Sequence, residues 1–468
     1  MRKLSRYKPY MLTVEKIGGT SMSALQEVIQ NIILFERTGE QLYNRIFVVS
    51  AFSGVTDLLL ENKKTGAPGV YHRIAKQQDF HRPLKELIVK LKSINKKYVD
   101  LGLDLAVADR FIENHVKEAQ TYLENLANIL ASGYVSREGI LQAAREILAS
   151  IGESHSAFNF TNILLNMGIN TRLVDLSGFG DHRPFTIDQR IKHAFKNIDF
   201  EKTICITTGY AKGTEGIMRE FDRGYSEVTF SKIAEFLKPQ EAIIHKEYHL
   251  STADPALVGI ENCIPVGYTN YDIADQLADV GMEAIHPKAS KPLEVSGIHL
   301  RIKNTFEPAH PGTLITREFV CETKRVEVIT GTDKLMMIDV YDPSMVGNVG
   351  SDLQIMQTFF DYNVSYTFKS TSANSISIVI WARDFNKKLI SKLEEDFEKV
   401  TVENVAMVCL LGTNMDQPGL LAKSAAALTE DGINIKSAGF ALRKVNIQFL
   451  IDPEHFKRAI IALNKAMG

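Results

Sequence analysis

A lysine and two adjacent glycines stand together near the N-terminal end, in the stretch VEKIGGTSM at Val14–Met22. We predict a short strand ending near Ile17, a turn at Gly18 and Gly19, and then a helix. Such a helix start presents free backbone N–H groups, which suit a phosphate, and Lys16 would add a positive charge. An ordinary strand–turn–helix unit with a surface lysine has the same pattern, so both interpretations stay open. A P-loop is excluded, because no Gly-Lys-Ser/Thr follows the glycines.

Hydroxyl groups follow the next predicted strand, Ile46–Val49, at its carboxyl end. Ser50 and Thr56 lie there, and open α/β sheets bind ligands at that edge. The same hydroxyls also suit the cap of a helix, which is a common role for serine and threonine. Farther along, Glu153 lies among small residues, where a carboxylate can face a ligand, although most glutamates are solvated surface charges.

A second glycine-rich segment, Gly209–Gly216, follows the predicted strand Thr203–Thr208. Its glycines permit positive φ values and the close approach of a ligand, so we predict a hairpin or flap. A helix is predicted to start shortly after this segment in the sequence. Its start is surrounded by Arg223, Ser226 and Glu227. An arginine at such a position can form two parallel hydrogen bonds with a carboxylate.

The composition limits the classes of protein to which the chain can belong. The chain has 468 residues and a formal net charge of −2, with 45% hydrophobic and 24% charged residues. These values are typical of a soluble globular protein of several domains and favour neither a nucleic-acid nor a membrane partner. The cysteines are scattered without CxxC spacing, so we expect neither a zinc site nor a disulfide framework. Neither a signal peptide nor a membrane-spanning apolar run is recognisable, which predicts a cytoplasmic protein.

Strands and helices alternate from the N-terminal end to a link rich in proline and glycine at Pro308–Thr313. This alternation predicts an α/β fold in which helices cover both faces of a mainly parallel sheet. We assign residues 11–315 to this first domain. The candidate residues follow predicted strands, so we expect them at the carboxyl edge of the sheet.

The remaining chain repeats a βαββα pattern, which is typical of ferredoxin-like modules. We assign residues 324–401 to the first module and residues 402–468 to the second. The second module ends after its second helix, so its closing strand must come from upstream, and the first module would be inserted into the second. The candidates for this strand are Ile298–Lys303 and Val326–Ile329. The strands that follow the first helix of each module are predicted at Val364–Phe368 and Ile433–Ser437.

Seven segments, in the right order, resemble the signature motifs of the aspartate kinases. They are KIGGTSM at 16–22, SAFSGVT at 50–56, GE at 152–153, RGYSE at 223–227, STADP at 251–255, HP at 286–287 and RIKNT at 301–305. The resemblance covers nearly the whole chain and implies the amino-acid kinase fold. It further implies transfer of a phosphoryl group from ATP to L-aspartate, with Mg²⁺ as the cofactor ion and 4-phospho-L-aspartate as product. The VEKIGGTSM stretch and the KKTGAPGVY loop resemble the aspartate kinases associated with ectoine biosynthesis.

The resemblance implies a role for each group of residues. The implied catalytic residues are Lys16, Gly18 and Gly19. The implied substrate-binding residues are Ser50, Thr56, Glu153, Arg223, Ser226 and Glu227. The implied nucleotide-binding residues are Thr20, Ser21, Gly209, Lys212, His245, Lys246, Asp254 and Lys288. The nucleophile is the carboxylate of the substrate, with a reference pKa of about 3.9, so the reaction needs no general base. No protein residue is assigned as a metal ligand.

The chain departs from the family pattern mainly on the nucleotide side. The family's RGGSD aspartate is Glu227 here, and its Thr-Asp pair is replaced by His245 and Lys246. Either other residues hold the nucleotide, with Lys212, Lys246 and Lys288 as candidates, or nucleotide use is altered. Two alternative functions follow, which are a kinase for another small acidic amino acid, such as glutamate, and a catalytically weak amino-acid sensor.

The two tail modules resemble the paired ACT domains of the same enzymes. This likeness implies an amino-acid effector, feedback control and a homodimer or higher homo-oligomer. The loops Asp342–Gly347 and Thr371–Ser375 fall where effector loops are expected, although small polar loops are usually only turns. The sequence does not identify the effector or the pathway that the product enters.

Overall fold

The computed structural model describes residues 11–62, 65–221, 224–282, 284–440 and 443–467. Arg223, one of the predicted substrate-binding residues, lies outside these ranges. No helix in the described part of the chain is long and apolar enough to cross a membrane.

The strands and helices are numbered in chain order. The strands are β1 (Thr13–Ile17), β2 (Arg45–Val49), β3 (Thr171–Val174), β4 (Ile204–Thr208), β5 (Glu241–Lys246), β6 (Tyr268–Asn270), β7 (His299–Asn304), β8 (Thr313–Thr316), β9 (Val328–Tyr341), β10 (Phe368–Thr371), β11 (Ser375–Trp381), β12 (Lys399–Leu411), β13 (Ser437–Phe440) and β14 (Asn446–Ile451). The α-helices are α1 (Gly19–Ser23), α2 (Leu25–Val28), α3 (Val55–Leu59), α4 (Val70–Ala75), α5 (His81–Lys96), α6 (Leu105–Ser132), α7 (Arg137–Asn166), α8 (Ile187–Ala194), α9 (Ile217–Phe221), α10 (Tyr225–Leu237), α11 (Pro255–Val258), α12 (Tyr271–Asp279), α13 (Pro287–Val295), α14 (Ser351–Asp361), α15 (Lys387–Asp396), α16 (Leu420–Glu430) and α17 (Phe456–Met467).

The chain divides into two units. The first lies within Met1–His249 and His286–Thr316, and the second within Leu250–Ile285 and Arg317–Gly468. In the first unit, strands form one sheet in the order β3-β4-β2-β1-β5-β7-β8. Neighbouring strands are parallel, except that β8 runs antiparallel to β7. Strands β1, β2 and β4 are buried along their whole length, as parallel strands covered on both faces should be. The predicted mainly parallel α/β sheet is confirmed.

Successive side chains of β1 face opposite sides of the sheet, because side chains alternate along a strand. Glu15 points to the face on which a π-helical turn, Ile29–Ile33, continues α2. Arg45 of β2 lies on that face too, and its Nη1 donates to the carbonyl oxygen of Ile33 at 3.4 Å. Lys16 points to the opposite face, which α10 covers.

A buried ion pair links the central strands. Arg45 donates from Nε to Glu15 Oε1 at 2.7 Å and from Nη2 to Glu15 Oε2 at 3.0 Å. His245 Nε2 lies 2.8 Å from Glu15 Oε2, and all three side chains are at most 5% exposed. Burial raises the pKa of Glu15, but Arg45 and His245 outweigh it and hold that pKa well below its ordinary value. Burial lowers the pKa of His245.

The second unit contains an antiparallel sheet in the order β10-β11-β9-β12-β14-β13. Its longest strands, β9 and β12, pair with each other, and their register shifts between Val405 and Met407. On one side of this shift β9 pairs with β11, and on the other side β12 pairs with β14. Each long strand therefore belongs to both βαββα modules, and the two predicted ferredoxin-like modules share one continuous sheet.

The closing strand of the second module comes from the start of β9. Val328 pairs with Leu411 of β12, and Ile329 pairs with Leu410. The other candidate, Ile298–Lys303, falls in β7 of the first unit, where its neighbours are β5 and β8. The structure thus distinguishes between the two candidates, while the exact domain boundaries stay predictions.

The second unit also contains Leu250–Ile285, which the sequence analysis placed in the first domain. The backbone N–H of Ile329 donates to the carbonyl oxygen of Thr252 at 2.7 Å. Ile273 of α12 lies in one apolar core with Met407 of β12. These long-range contacts are invisible in the order of strands and helices, which explains why the segment was assigned to the first domain.

Strands β10 and β13 begin later than Val364 and Ile433, the predicted first residues. The backbone N–H of Val364 donates to Phe359, and that of Ile433 donates to Leu428, both at 2.9 Å. At these positions the chain is still in the turn that ends the preceding helix. Apolar residues that close such a turn look like the start of a strand in a sequence.

Replacing Arg45 by methionine should destabilise the first unit. The change leaves the Glu15 carboxylate buried without its guanidinium, and breaking a buried pair in this way costs about 3–5 kcal/mol. The free energy of unfolding in urea measures the loss. Arg82→Met is the matched control, because Arg82 and Glu86 form an exposed pair at 2.9 Å, which contributes about 1 kcal/mol or less. Equal losses for the two variants would contradict a stabilising role of the buried pair.

Candidate active site

The predicted glycine turn lies at the end of β1. Gly18 is the N-cap of α1 with extended backbone angles, and Met22 N donates to its carbonyl oxygen at 2.8 Å. A Cβ at Gly19 would lie 2.7 Å from the carbonyl oxygen of Ala51. This is closer than real Cβ contacts, so only glycine lets the turn approach the end of β2. Lys16 precedes the turn and is 9% exposed.

Lys16 is held by a carboxylate of α10. Its Nζ lies 3.3 Å from Glu227 Oε1, and Glu227 Oε2 accepts the backbone N–H of His286 at 2.7 Å. Burial raises the pKa of Glu227, but the positive charges of Lys16 and Lys246 outweigh it and lower that pKa. Glu227 is therefore a largely buried carboxylate, 12% exposed, that keeps its charge, and it connects β1, α10 and the residue before α13.

Glu153 is buried rather than solvated, with 2% of its surface exposed. It lies in the middle of α7, and Ser226 Oγ donates to its Oε1 at 3.4 Å. Its Oε2 is buried and has no hydrogen-bond partner among the described residues. Burial raises the pKa of Glu153 to about 7. The environment of this carboxylate is thus the opposite of a surface charge.

Ser50 and Thr56 belong to a loop that is anchored at several points. Ser156 Oγ of α7 donates to the carbonyl oxygen of Ser50 at 2.8 Å, and Thr56 is the second residue of α3. Between them, the ring of Phe52 packs against the ring of His155 at 5.3 Å and stacks on Tyr98 at 5.4 Å. The loop is therefore held against His155 of α7 and against Tyr98, which follows α5.

The predicted nucleotide-binding residues lie in different settings. Thr20 is exposed, whereas Ser21 is fully buried. The hydroxyl of Ser21 lies 3.0 Å from Thr305 Oγ1. Gly209 follows β4, and a Cβ there would lie 2.7 Å from Ser226 Oγ. Gly209 therefore borders Ser226, and Ser21 lies in α1 just after the glycine turn.

Two predicted lysines donate to backbone carbonyl groups. Lys212 Nζ donates to Asp181 at 3.0 Å, and Lys288 Nζ donates to Glu220 at 2.8 Å. Lys288 also lies over the ring of Phe221. Both ammonium groups are therefore engaged by backbone carbonyl groups. The charge of Lys246 acts on Glu227.

His245 and Asp254 are engaged elsewhere. His245 packs in the buried cluster with Glu15 and Arg45, a placement that favours a structural role. Asp254 lies in the second unit, where its Oδ1 accepts the backbone N–H of Ala256 at 2.9 Å and caps α11.

Comparisons with known proteins identify the family. The profile of the amino acid kinase family matches residues 11–304. The aspartate kinase Ask_Ect of Stutzerimonas stutzeri (strain A1501) is 42% identical to this chain over 466 residues, covering 98% of this chain and 97% of that protein. The chain belongs to the aspartate kinases of the amino acid kinase family. The chloroplastic aspartokinase 1 of Arabidopsis thaliana is more distant, with 26% identity over 97% of this chain and 79% of that protein.

Solved aspartokinases have the same fold as this kinase. Aspartokinase III of E. coli, crystallised with aspartate and ADP, superimposes with a TM-score of 0.74 at 19% identity, covering 97% of this chain and 99% of that chain. The aspartate kinase of Clostridium acetobutylicum superimposes with a TM-score of 0.71 at 20% identity, covering 98% of this chain and 100% of that chain. The predicted amino-acid kinase fold with regulatory modules is confirmed.

The sequence analysis did not single out two carboxylates, Glu247 and Glu146, as candidate functional residues. Glu247 follows β5, and its Oε1 accepts the Ser21 hydroxyl at 3.5 Å. Glu146 lies two helical turns before Glu153, so a repeat of seven residues on α7 was an available signal. It accepts the Tyr210 hydroxyl at 2.7 Å. Glu146 and Tyr210 line a cavity of about 550 Å³, which Lys212 also borders.

The pKa of Glu153 makes the stability of the kinase depend on pH. Its folded-state pKa is about 7, against an ordinary value of 4.5. A raised carboxyl pKa means that the folded state loses stability as the pH rises from the ordinary value to the folded one. We expect Glu153→Gln to raise the free energy of unfolding above pH 7 by about 3 kcal/mol, and by little near pH 4.5.

Urea unfolding across this pH range, in the absence of ligands, measures the difference. Glu235→Gln is the control, because Glu235 is an exposed residue of α10. A Glu153→Gln variant whose stability follows the wild-type pH profile throughout would contradict the raised pKa.

Proposed function

We propose that this kinase transfers the γ-phosphoryl group of ATP to the side-chain carboxylate of L-aspartate and forms 4-phospho-L-aspartate. One observation carries the proposal. At the start of α10, Ser226 donates to Glu153 and the adjacent Glu227 contacts Lys16. A buried carboxylate suited to a substrate ammonium and a lysine suited to phosphate are therefore held by neighbouring residues.

The reaction sets clear requirements for the site. The nucleophile is an ionised carboxylate, so the protein must bring two anions together and neutralise the charge on the transferring phosphoryl group. Lys16 supplies a positive charge, and the backbone N–H groups at Gly18 and Gly19 supply hydrogen-bond donors. When bound, Mg²⁺ would neutralise phosphate charge and orient the phosphates.

On the substrate side, we propose that Glu153 pairs with the ammonium group of aspartate. Its buried Oε2, which has no partner among the described residues, suits that contact. Ser50, Thr56 and Ser226 are the proposed hydroxyl donors. Arg223 is the proposed partner of a substrate carboxylate, on sequence grounds alone.

On the nucleotide side, we propose that Lys246 is the second cation near the phosphates. Its positive charge acts on Glu227, the carboxylate that Lys16 contacts. Thr20, Ser21, Gly209 and Asp254 stay predicted nucleotide contacts. This assignment supports the interpretation that other residues replace the family's usual nucleotide contacts.

We propose that the ACT modules bind an amino-acid effector and that the kinase is a cytoplasmic homodimer or higher homo-oligomer. In the first module, Asp342 N donates to the carbonyl oxygen of Asn374 at 3.0 Å, so the two predicted effector loops are neighbours. An aspartokinase III structure from E. coli holds lysine and aspartate. The product would enter the aspartate-family pathway, and the VEKIGGTSM and KKTGAPGVY stretches favour a supply to ectoine synthesis.

Replacing Lys16 by alanine should reduce kcat by at least about a hundredfold, because the transferring phosphoryl group loses a charge that stabilises its transition state. Trapping the acyl phosphate with hydroxylamine measures the product as an aspartyl hydroxamate, with ATP, Mg²⁺ and aspartate present. Lys291→Ala is the control, because the Lys291 side chain is 67% exposed. Unchanged product formation by Lys16→Ala would refute its role. No product from the wild type would favour the amino-acid sensor, and a preference for glutamate would favour the alternative kinase.

The KM for aspartate should fall as the pH rises through about 7, because Glu153 must be ionised to pair with the substrate ammonium. Steady-state kinetics between about pH 6 and 8 test this dependence. In Glu153→Gln the KM should be higher than in the wild type and should lose this dependence. A wild-type KM that does not change over the range would contradict the proposed pairing.

A further inference from the structure

Glu247 places a negative charge beside the glycine turn. It is the first residue after β5, which runs parallel to β1, so the two strand ends are neighbours. Its Oε1 accepts the Ser21 hydroxyl at 3.5 Å. A Cβ built at Gly18 would lie 3.8 Å from Glu247 Oε1 and 4.0 Å from Lys16 Nζ. A carboxylate and an ammonium group thus flank the same glycine.

A carboxylate at this position conflicts with phosphate binding unless a cation lies between them. Like charges at such distances repel, and a half-buried setting weakens the screening by water. A divalent cation reverses the effect, because it is attracted to the carboxylate and to the phosphates together. Mg²⁺ in nucleotide sites is usually held by one or two carboxylates and the phosphates, and it keeps several waters.

The described residues fit this mode of binding. They include no group of three or more His, Cys, Asp or Glu side chains that could hold a metal, so an all-protein cage is absent from that part of the chain. The 3.5 Å contact with Ser21 is long for a hydrogen bond, and the Ser21 hydroxyl has a closer neighbour in Thr305 at 3.0 Å. The hydrogen bond between Ser21 and Glu247 is therefore weak.

Lys246 and Glu247 are consecutive residues at the carboxyl end of β5, so this strand end carries one positive and one negative charge. Glu227, the other nearby carboxylate, is already engaged by Lys16 and by the backbone N–H of His286.

We propose that Glu247 holds the Mg²⁺ that binds with the phosphates of ATP. The proposal rests on the proposed function, since it assumes that the triphosphate lies at the glycine turn. Glu247 supplies an oxygen ligand to the ion, and the remaining ligands come from phosphate and water.

The test measures binding of ATP to the full chain by calorimetry, without aspartate, once with excess Mg²⁺ and once with EDTA. In Glu247→Gln, the Kd for ATP with Mg²⁺ should rise by about tenfold or more, as when a group that supports a metal is removed. With EDTA the Kd should stay unchanged or fall, because the repulsion is gone. Mn²⁺ in place of Mg²⁺, followed by electron paramagnetic resonance with ATP present, should show the same loss of ion binding.

Glu235→Gln is the matched control and should bind ATP and the ions as the wild type does. Equal Mg²⁺ dependence in Glu247→Gln and wild type would overturn the proposal for Glu247 and leave the proposed function standing. Tighter ATP binding by the variant under both conditions would also overturn it, because Glu247 would then only repel phosphate. A wild type that binds no ATP under either condition would overturn the proposed function and this proposal together.

Discussion

The ion pair between Lys16 and Glu227 joins three elements of the first unit. The ammonium group of Lys16 lies near the glycine turn and contacts Glu227 in the first turn of α10. The second carboxylate oxygen of Glu227 accepts the backbone N–H of His286, the residue before α13. A buried carboxylate stays charged only if such partners offset its desolvation. The residue before Glu227 is Ser226, which bonds to Glu153. The proposed phosphate and substrate sides thus depend on one helix start.

Consecutive residues of β1 have different roles, because their side chains point to opposite faces of the sheet. Glu15 lies under the sheet with Arg45 and His245 and stabilises the central strands. Lys16 lies on the other face beside α10. A shift of one residue in this strand would exchange the two environments, so the structural charge cluster also fixes the side on which the proposed catalytic lysine emerges.

Three glutamates with little exposed surface differ in the charges that surround them. Glu15 and Glu227 have cationic partners, and their pKa values are lowered in spite of burial. Glu153 has only hydrogen-bond donors among the described residues, and burial raises its pKa to about 7. The same residue type is therefore a stable anion at two positions and a group poised near neutral pH at the third. Such a perturbed carboxylate is typical of functional sites.

A large part of the fold and of the candidate site could be predicted from the sequence. The alternation of strands and helices predicted the mainly parallel sheet, because hydrophobic periodicity is a local property. The motif order indicated the aspartate kinases, and the comparisons confirm that family. The late start of β10 and β13 could not be predicted, because the turn that ends a helix buries apolar residues much as a strand does.

The amino-acid sequence by itself determined the class of fold, the family and the residue types available for chemistry. Only the tertiary structure decided which of these residues meet. It placed His245 in a buried cluster with Glu15 and brought Glu247 to Gly18, and it assigned the start of β9 to the second module. Each of these depends on contacts between residues far apart in the chain, whose pairing is set by the packing of strands and helices rather than by any local pattern.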